Sequence, residues 1–408
     1  MAAEPPPPRS GRPRPAKTTI QKGAVLLPCP AARSGRPRPA KTTIATLPSR
    51  PRPNPDKTAS VGTPCGVWYP ARMATTGIDG TPVWSDLARR VLAGERLQRD
   101  EARAILASPD DQLDALLEAA LEIRERRFGR RVKICVLKNA RSGLCPEDCG
   151  YCSQSKVSTA PIETYTLLER GVLQAAADNA VERGARRYCM VTSGRGPSER
   201  DVERICSATV AIKGKHPELE ICVSLGLLEA ETAARLKTAG VGWINHNLNT
   251  SERFYPEICS THTYAERIAT VQAAQAAGMA VCCGGIVGMG ETDEDVIDLG
   301  FALAELNVDS LPVNFLHAID GTPLGDAGKI EPGRALRTLC LMRFLNPNAD
   351  IRAAGGREHV LGEMQKRALL PANSIFVDGY LTTSGQAVNE AQQMIENAGF
   401  TLEDGLVV

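Results

Sequence analysis

Three cysteines within eight residues, Cys145, Cys149 and Cys152, constrain this chain more than any other feature. Their spacing is Cys-x3-Cys-x2-Cys. Three thiolates this close can hold three irons of a cubic iron–sulfur cluster and leave the fourth iron open to a substrate or cofactor. A fourth thiolate would close the site to plain electron transfer. A structural zinc site is the alternative. Zinc of that kind takes four ligands, commonly in two pairs, and no neighbouring cysteine or histidine in the sequence supplies the fourth. Gly143, Pro146 and Gly150 suit a loop that wraps closely round an inorganic core.

Thirteen cysteines in 408 residues need a reason. No stretch of about 20 apolar residues is available to span a membrane, and the N-terminus lacks the apolar core of a secretory signal. These features predict a reducing, cytoplasmic setting, where many cysteines mean metal or catalysis rather than disulfides. Cys206, Cys259 and Cys340 read as small buried hydrophobes. Residues 1–72 carry 13 Lys/Arg against 2 Asp/Glu, so the remainder is mildly acidic and offers no basic field for nucleic acid. The same stretch holds 16 of the 28 prolines and a direct repeat of twelve residues at 9–20 and 33–44. It lacks the apolar material to offset ordering, so a disordered basic tail is expected. It reads as an organelle transit peptide, a basic RNA-binding arm, or translated upstream sequence before a start at Met73. The last best fits a repeat without apolar content.

From Trp84 the texture changes. Residues 86–106 and 110–127 predict two amphipathic helices, with Leu113, Leu116, Leu117, Ala120 and Leu121 on one face and Asp110 as an N-cap. They form an expected N-terminal helical cap over 84–128. Eight apolar or β-branched runs follow, at 132–138, 187–192, 220–225, 243–248, 280–287, 310–316, 351–354 and 374–377. Helical patterns alternate with them at 168–183, 201–213, 229–239, 264–277, 294–306 and 332–345, several ending at Gly184, Gly240, Gly278 or Asn307. Eight strands alternating with helices predict an α/β fold, a (β/α)8 TIM-type barrel over 129–399. A doubly wound open sheet is the competitor, but it usually opens with a Gly-rich first turn, absent here. The three-cysteine loop follows the first strand, at the end where such barrels place their chemistry.

Three further groups sit on these strands. Gly284 and Ile286 belong to a glycine-rich string after the fifth run, where backbone approaches a ligand closely or simply turns. Cys189, Cys222, Cys282 and Arg352 fall in runs two, three, five and seven, where alternation allows each to point inward. Any one thiol could be core filling, but a buried guanidinium is costly unless paired, so together they suggest a second, internal cluster. Cys283 points to the opposite face and reads as structural; Cys135 is ambiguous. Asn245, Asn247 and Asn249 end run four, and their carboxamides suit a neutral, hydrogen-bonding ligand. His246 reads as a packed histidine.

The cysteine loop after a first barrel strand is similar to that of the radical S-adenosylmethionine superfamily. Over about 84–399 the body resembles the biotin synthase family. The strings that carry this run from Gly143 to Gln154, Val191 to Ser198, Ile244 to Thr250 and Ala372 to Phe376. The resemblance implies a 4Fe–4S cluster on Cys145, Cys149 and Cys152 whose open iron binds S-adenosylmethionine. It implies a 2Fe–2S cluster, the sulfur donor, on Cys189, Cys222, Cys282 and Arg352. It sets Tyr151 against the adenine, with Gly284 and Ile286 in the adenine-supporting Gly-x-Ile-x-Gly-x-x-Glu motif. Asn249 stands at the ribose, where many members carry aspartate. Arg267 faces the S-adenosylmethionine carboxylate, unless it is a solvent-facing helix arginine. Asn245, Asn247 and Asn314 lie near the ureido ring of dethiobiotin. The implied reaction converts dethiobiotin to biotin, the last step of biotin biosynthesis, in a homodimer fed by an electron donor such as flavodoxin or ferredoxin. Another radical S-adenosylmethionine enzyme on the same barrel, or a zinc-binding barrel without catalysis, are the alternatives.

Overall fold

Side-chain alternation decides which thiols enter the barrel. The structure, a computed structural model, describes residues 83–403, so the expected tail over 1–72 lies outside the described residues. In the strand Arg187–Thr192 the Tyr188 hydroxyl donates to the Leu173 carbonyl of the helix Arg170–Glu182 at 3.2 Å. Tyr188 therefore points outward, and Cys189 points inward.

The strands are β1 Arg131–Arg141, β2 Arg187–Thr192, β3 Glu220–Ser224, β4 Trp243–Asn245, β5 Ala280–Cys282, β6 Gly285–Val287, β7 Ser310–Phe315, β8 Asp350–Ala353, β9 Ser374–Phe376 and β10 Thr401–Leu402. Every ladder is parallel. The order β1-β2-β3-β4-β5-β7-β8-β9, with β6 on β7 and β9 back on β1, closes the ring. Counting β5 and β6 as one stave gives the expected eight. The run 280–287 is broken at Cys283 and Gly284 because the chain presses on β7 there. A Cβ on Gly284 would stand 1.9 Å from the Pro312 carbonyl oxygen, so only glycine fits. Strand β10 extends the start of β1 outside the ring, an element the sequence pattern did not announce.

The crossover helices Arg170–Glu182, Glu199–Lys215, Ala230–Thr238, Tyr264–Ala276, Asp293–Glu305 and Pro332–Leu345 stand where expected. Gly184, Gly240, Gly278 and Asn307 follow four of them with positive φ. The cap differs from expectation. Residues 86–106 form two helices, α1 Trp84–Leu92 and α2 Arg99–Leu106, followed by α3 Leu113–Phe128. The chain turns at Gly94 (φ 91°) and restarts at Gln98, whose N–H donates to Glu101 at 2.8 Å. Asp110 is no N-cap either. It lies in a short 3-10 turn, and its carboxylate accepts from Arg337 at 2.6 Å. No helix among the described residues is long and apolar enough to cross a membrane.

Candidate active site

The loop after β1 turns Cys145, Cys149 and Cys152 toward one cavity, which Tyr151, Cys189, Asn245, Asn247, Asn249, Arg267, Ile286 and Asn314 also line. The two acids between the first two cysteines fasten this loop to segment 258–262. Asp148 accepts from the backbone N–H of Ser260 at 3.0 Å and of Thr261 at 3.2 Å, and from both hydroxyls. Burial opposes its charge, but the bonds from Ser260, Cys259 and Thr261 prevail and hold its carboxyl well below the usual range. Glu147 is buried and accepts from the Thr261 hydroxyl at 2.6 Å and from His262 Nδ1 at 2.7 Å. The Gly150 N–H donates to the Ile258 carbonyl at 2.9 Å. Burial pushes the Cys152 thiol up to about 11, so a metal binding there displaces a proton.

The asparagines are held from behind. Asn249 sits buried in the left-handed region (φ 72°) and donates to the Tyr151 hydroxyl at 2.7 Å. Asn247 accepts from the Gly284 N–H at 3.1 Å, and Asn245 donates to Cys282 Sγ at 3.3 Å. Asn314 donates to the Gly285 carbonyl and accepts from the Gly355 N–H, both at 3.0 Å. A carboxamide has two N–H groups and an oxygen with two lone pairs, so each keeps capacity for a ligand. Ile286 reaches the cavity; Gly284 is packed against Pro312 instead. Arg267 is not solvent-facing. It is buried, donating to the Tyr255 hydroxyl, the Asn247 carbonyl at 2.8 Å and His262 Nε2 at 2.7 Å. His246 is packed, and burial holds it neutral.

The inner set comes together as well. Cys189 and Cys222 are register partners on β2 and β3. Arg352, 1 % exposed, donates to Cys282 Sγ and to the Ser310 hydroxyl, each at 3.3 Å, and its Nε has no partner. Half-buried Tyr380 lines the same cavity as Cys152 and Cys189. All these cysteines are free thiols. Soft thiol donors around an unsatisfied guanidinium, opening on a cavity with a second three-thiol group, fit iron–sulfur ligation. Cys283, as expected, belongs to the outer apolar core, and Cys340 is core filling.

Cys259 departs from its expected role as a small hydrophobe. Its Sγ lies 3.7 Å from Cys149 Sγ, 3.1 Å from His262 Nδ1 and 3.3 Å from Asp148 Oδ1. Cys149, Cys259 and His262 thus offer three ligand atoms within 4.8 Å, the neighbours that a zinc reading lacked in sequence. Both histidine nitrogens are engaged, however. A guanidinium only donates, so Nε2 accepts from Arg267, and Nδ1 carries the proton facing Glu147. No lone pair remains for zinc. The spacing Cys259-Ser-Thr-His262 was visible in the sequence; its neighbour Cys149, 110 residues away, was not.

Residues 141–302 match the radical SAM superfamily, and residues 312–401 match the Biotin and Thiamin Synthesis associated domain. The biotin synthase of Bacillus velezensis is 50% identical over 320 residues, 78% of this chain and 94% of the relative. That of Geobacillus thermodenitrificans is 48% identical over 79% of this chain and 97% of its own. That of Bacillus subtilis is 48% identical over 78% and 95%. Among solved structures, methylornithine synthase superposes with a TM-score of 0.67 at 19% identity, covering 78% of this chain and 97% of its own. The FeFe-hydrogenase maturase HydG from Carboxydothermus hydrogenoformans gives 0.67 at 18%, covering 79% of each chain. At such identities these two structures speak for the barrel alone.

Proposed function

The chain belongs to the biotin synthase family, and from that membership we propose how its residues divide the work of inserting sulfur into dethiobiotin. The activity is the S-adenosylmethionine-dependent conversion of dethiobiotin to biotin. Cys145, Cys149 and Cys152 would hold the 4Fe–4S cluster, and Cys189, Cys222, Cys282 and Arg352 the 2Fe–2S cluster. When bound, these groups supply one-electron cleavage of S-adenosylmethionine and a source of sulfur.

The protein's own part is to position and to exclude water. Tyr151 and Ile286 frame the adenine, and Asn249, fixed by Tyr151, meets the ribose, while Gly284 lets β5 and β6 pack on Pro312 behind them. Arg267 brings a buried positive charge to the S-adenosylmethionine carboxylate while its hydrogen bond holds the Asn247 backbone. Asn245, Asn247 and Asn314 present their remaining donors and acceptors to the ureido ring. The segment after β9 closes the cavity, Thr382 meeting Ser153 at 2.8 Å and Tyr380 lining it. Residues 84–128 act as a cap on the catalytic barrel of 129–399. The working enzyme is a homodimer in the cytoplasm, reduced by a flavodoxin- or ferredoxin-type donor.

One observation carries this reading: Cys145, Cys149, Cys152 and Cys189 line a single cavity with four asparagines. Anaerobic iron and sulfide quantitation with Mössbauer spectroscopy tests it. About six irons per chain in two cluster types is the expected result; about four in one type, or zinc without sulfide, overturns it.

A further inference from the structure

We propose that Cys149 and Cys259 close a reversible disulfide when the iron of the cysteine loop is lost, so that Cys149 escapes irreversible oxidation. The two sulfurs are 3.7 Å apart, and a disulfide needs about 2.05 Å. Their backbones are already joined: Gly150, next to Cys149, donates to the carbonyl of Ile258, next to Cys259, at 2.9 Å. Asp148, on the other side of Cys149, holds the backbone of Ser260 at 3.0 Å. The two loops are thus held side by side, and the sulfurs have a short gap to close. Cys149 faces the cavity, where a small oxidant arrives, whereas Cys259 lies behind it, buried and outside the cavity lining. Thr261 and His262 hold the Cys259 sulfur in place at 3.6 and 3.1 Å.

This arrangement is that of a resolving cysteine behind one that lines the cavity. Hydrogen peroxide is the oxidant. Cys149 attacks it as the thiolate, forming an S–O bond and breaking O–O, and the leaving hydroxide takes up the thiol's proton and departs as water. Cys259 sulfur then attacks the sulfenic sulfur, forming S–S and breaking S–O, and a second water leaves with the remaining proton. Two thiols have given two electrons and two protons to one peroxide. A dithiol reductant returns both thiols. Without Cys259, a second peroxide carries Cys149 to the sulfinic acid, which ordinary thiols do not reverse.

The biological consequence rests on Cys149 being a cluster ligand; the disulfide does not. The full-length chain, stripped of iron by a chelator under reducing conditions, is treated anaerobically with one equivalent of hydrogen peroxide and mapped by peptide mass spectrometry. The Cys149–Cys259 linked peptide is expected as the main product, and dithiothreitol should abolish it. In Cys259→Ala, excess peroxide should give several-fold more Cys149 sulfinic acid, and iron uptake on later reconstitution should fall in proportion. Cys149 linked to Cys145 or Cys152 instead, or equal sulfinic acid with and without Cys259, overturns the proposal. Iron and sulfide content of the never-oxidised chain reports on the cluster reading separately.

Discussion

Replacing Asp148 by alanine tests whether the acid between two cysteines holds the loop that must hold iron. Its carboxylate accepts two backbone N–H groups, at 3.0 and 3.2 Å, and the Thr261 hydroxyl at 3.0 Å. Hydrogen bonds to a charged group contribute about 1.5–3 kcal/mol each when shielded. Asp148 is only partly buried, so water replaces some of what is lost, and the total reduces to about 2–3 kcal/mol. That corresponds to about 30- to 150-fold in the opening of segment 258–262 away from the loop. Asp148→Asn keeps an oxygen for the amides but loses the charge, about 1 kcal/mol or fivefold. Amide hydrogen exchange read by mass spectrometry, with iron loss to a chelator followed on the same samples, should rank alanine above asparagine above wild type in both. Unchanged exchange at Ser260 and Thr261 in the alanine variant would refute the clamp. Faster exchange with unchanged iron loss would cut its link to the cluster. The Asp148 carboxyl is held below its unfolded value, so its contribution is complete above about pH 4 and is lost as pH falls toward the folded value. The gap in iron retention between wild type and Asp148→Ala should therefore stay constant at any pH above about 4; a gap that closes in mild acid would contradict the charged clamp.

Cys282→Ala should leave S-adenosylmethionine cleavage in place while biotin formation disappears and iron falls from about six to about four per chain; normal biotin yield would contradict the inner-cluster assignment. Tyr151→Phe removes the 2.7 Å bond to Asn249, and at about 1 kcal/mol should raise KM for S-adenosylmethionine about fivefold with little change in kcat. An unmoved KM counts against a cofactor role for that pair. Gly284→Ala places a Cβ where Pro312 already stands, and overpacking of that kind costs about 3 kcal/mol or more. Thermal unfolding within a degree of wild type would show that β5, β6 and β7 yield more easily than the contact implies.

Strand and helix periodicity located the barrel because each stave buries two faces and each crossover helix one stripe. Those patterns are local, and they survive in the sequence. The cysteine loop was legible for the same reason: its three thiols fall within eight residues. The inner set was harder, since Cys189, Cys222, Cys282 and Arg352 converge only once the ring closes. What escaped was support from a distance. Glu147 and Asp148 bind segment 258–262, and Cys259 stands behind Cys149. Short side chains across a 110-residue separation leave no periodic trace. Gly284 reads as a ligand-facing glycine until Pro312 is seen against it, since close approach of backbone and of ligand demand the same residue.

The floor of the barrel explains why a guanidinium belongs among the thiols. Arg187 and Arg352 are buried, with half-buried Lys133 beside them. Arg187 pairs with Glu220 at 2.8 Å, Arg352 lies 3.6 Å from Asp350, and Lys133 reaches both carboxylates at 3.7–3.8 Å. Buried Asp350 and half-buried Glu220 are thus shared by three cations, and half-buried Glu403 adds a third carboxylate 3.9 Å from Lys133. Arg187 Nη1 and Nη2 and Arg352 Nε find no acceptor; the Arg187 guanidinium lies over the Trp243 ring at 3.4 Å, whereas the free N–H of Arg352 is a buried donor left unused. The groups nearby that can become anionic are thiols, and Arg352 already points one N–H at Cys282. Iron bound at the inner set would make that change, because thiols bind it as thiolates and release protons. A 2Fe–2S cluster held there would thus give the unused Arg352 N–H and the inner cysteines a common purpose. Removing the thiols alone should strand the arginine, while replacing Arg352 by methionine should leave thiolates without their counter-charge. A barrel interior that needed only to be filled would hold aliphatic side chains at these positions and no guanidinium at all.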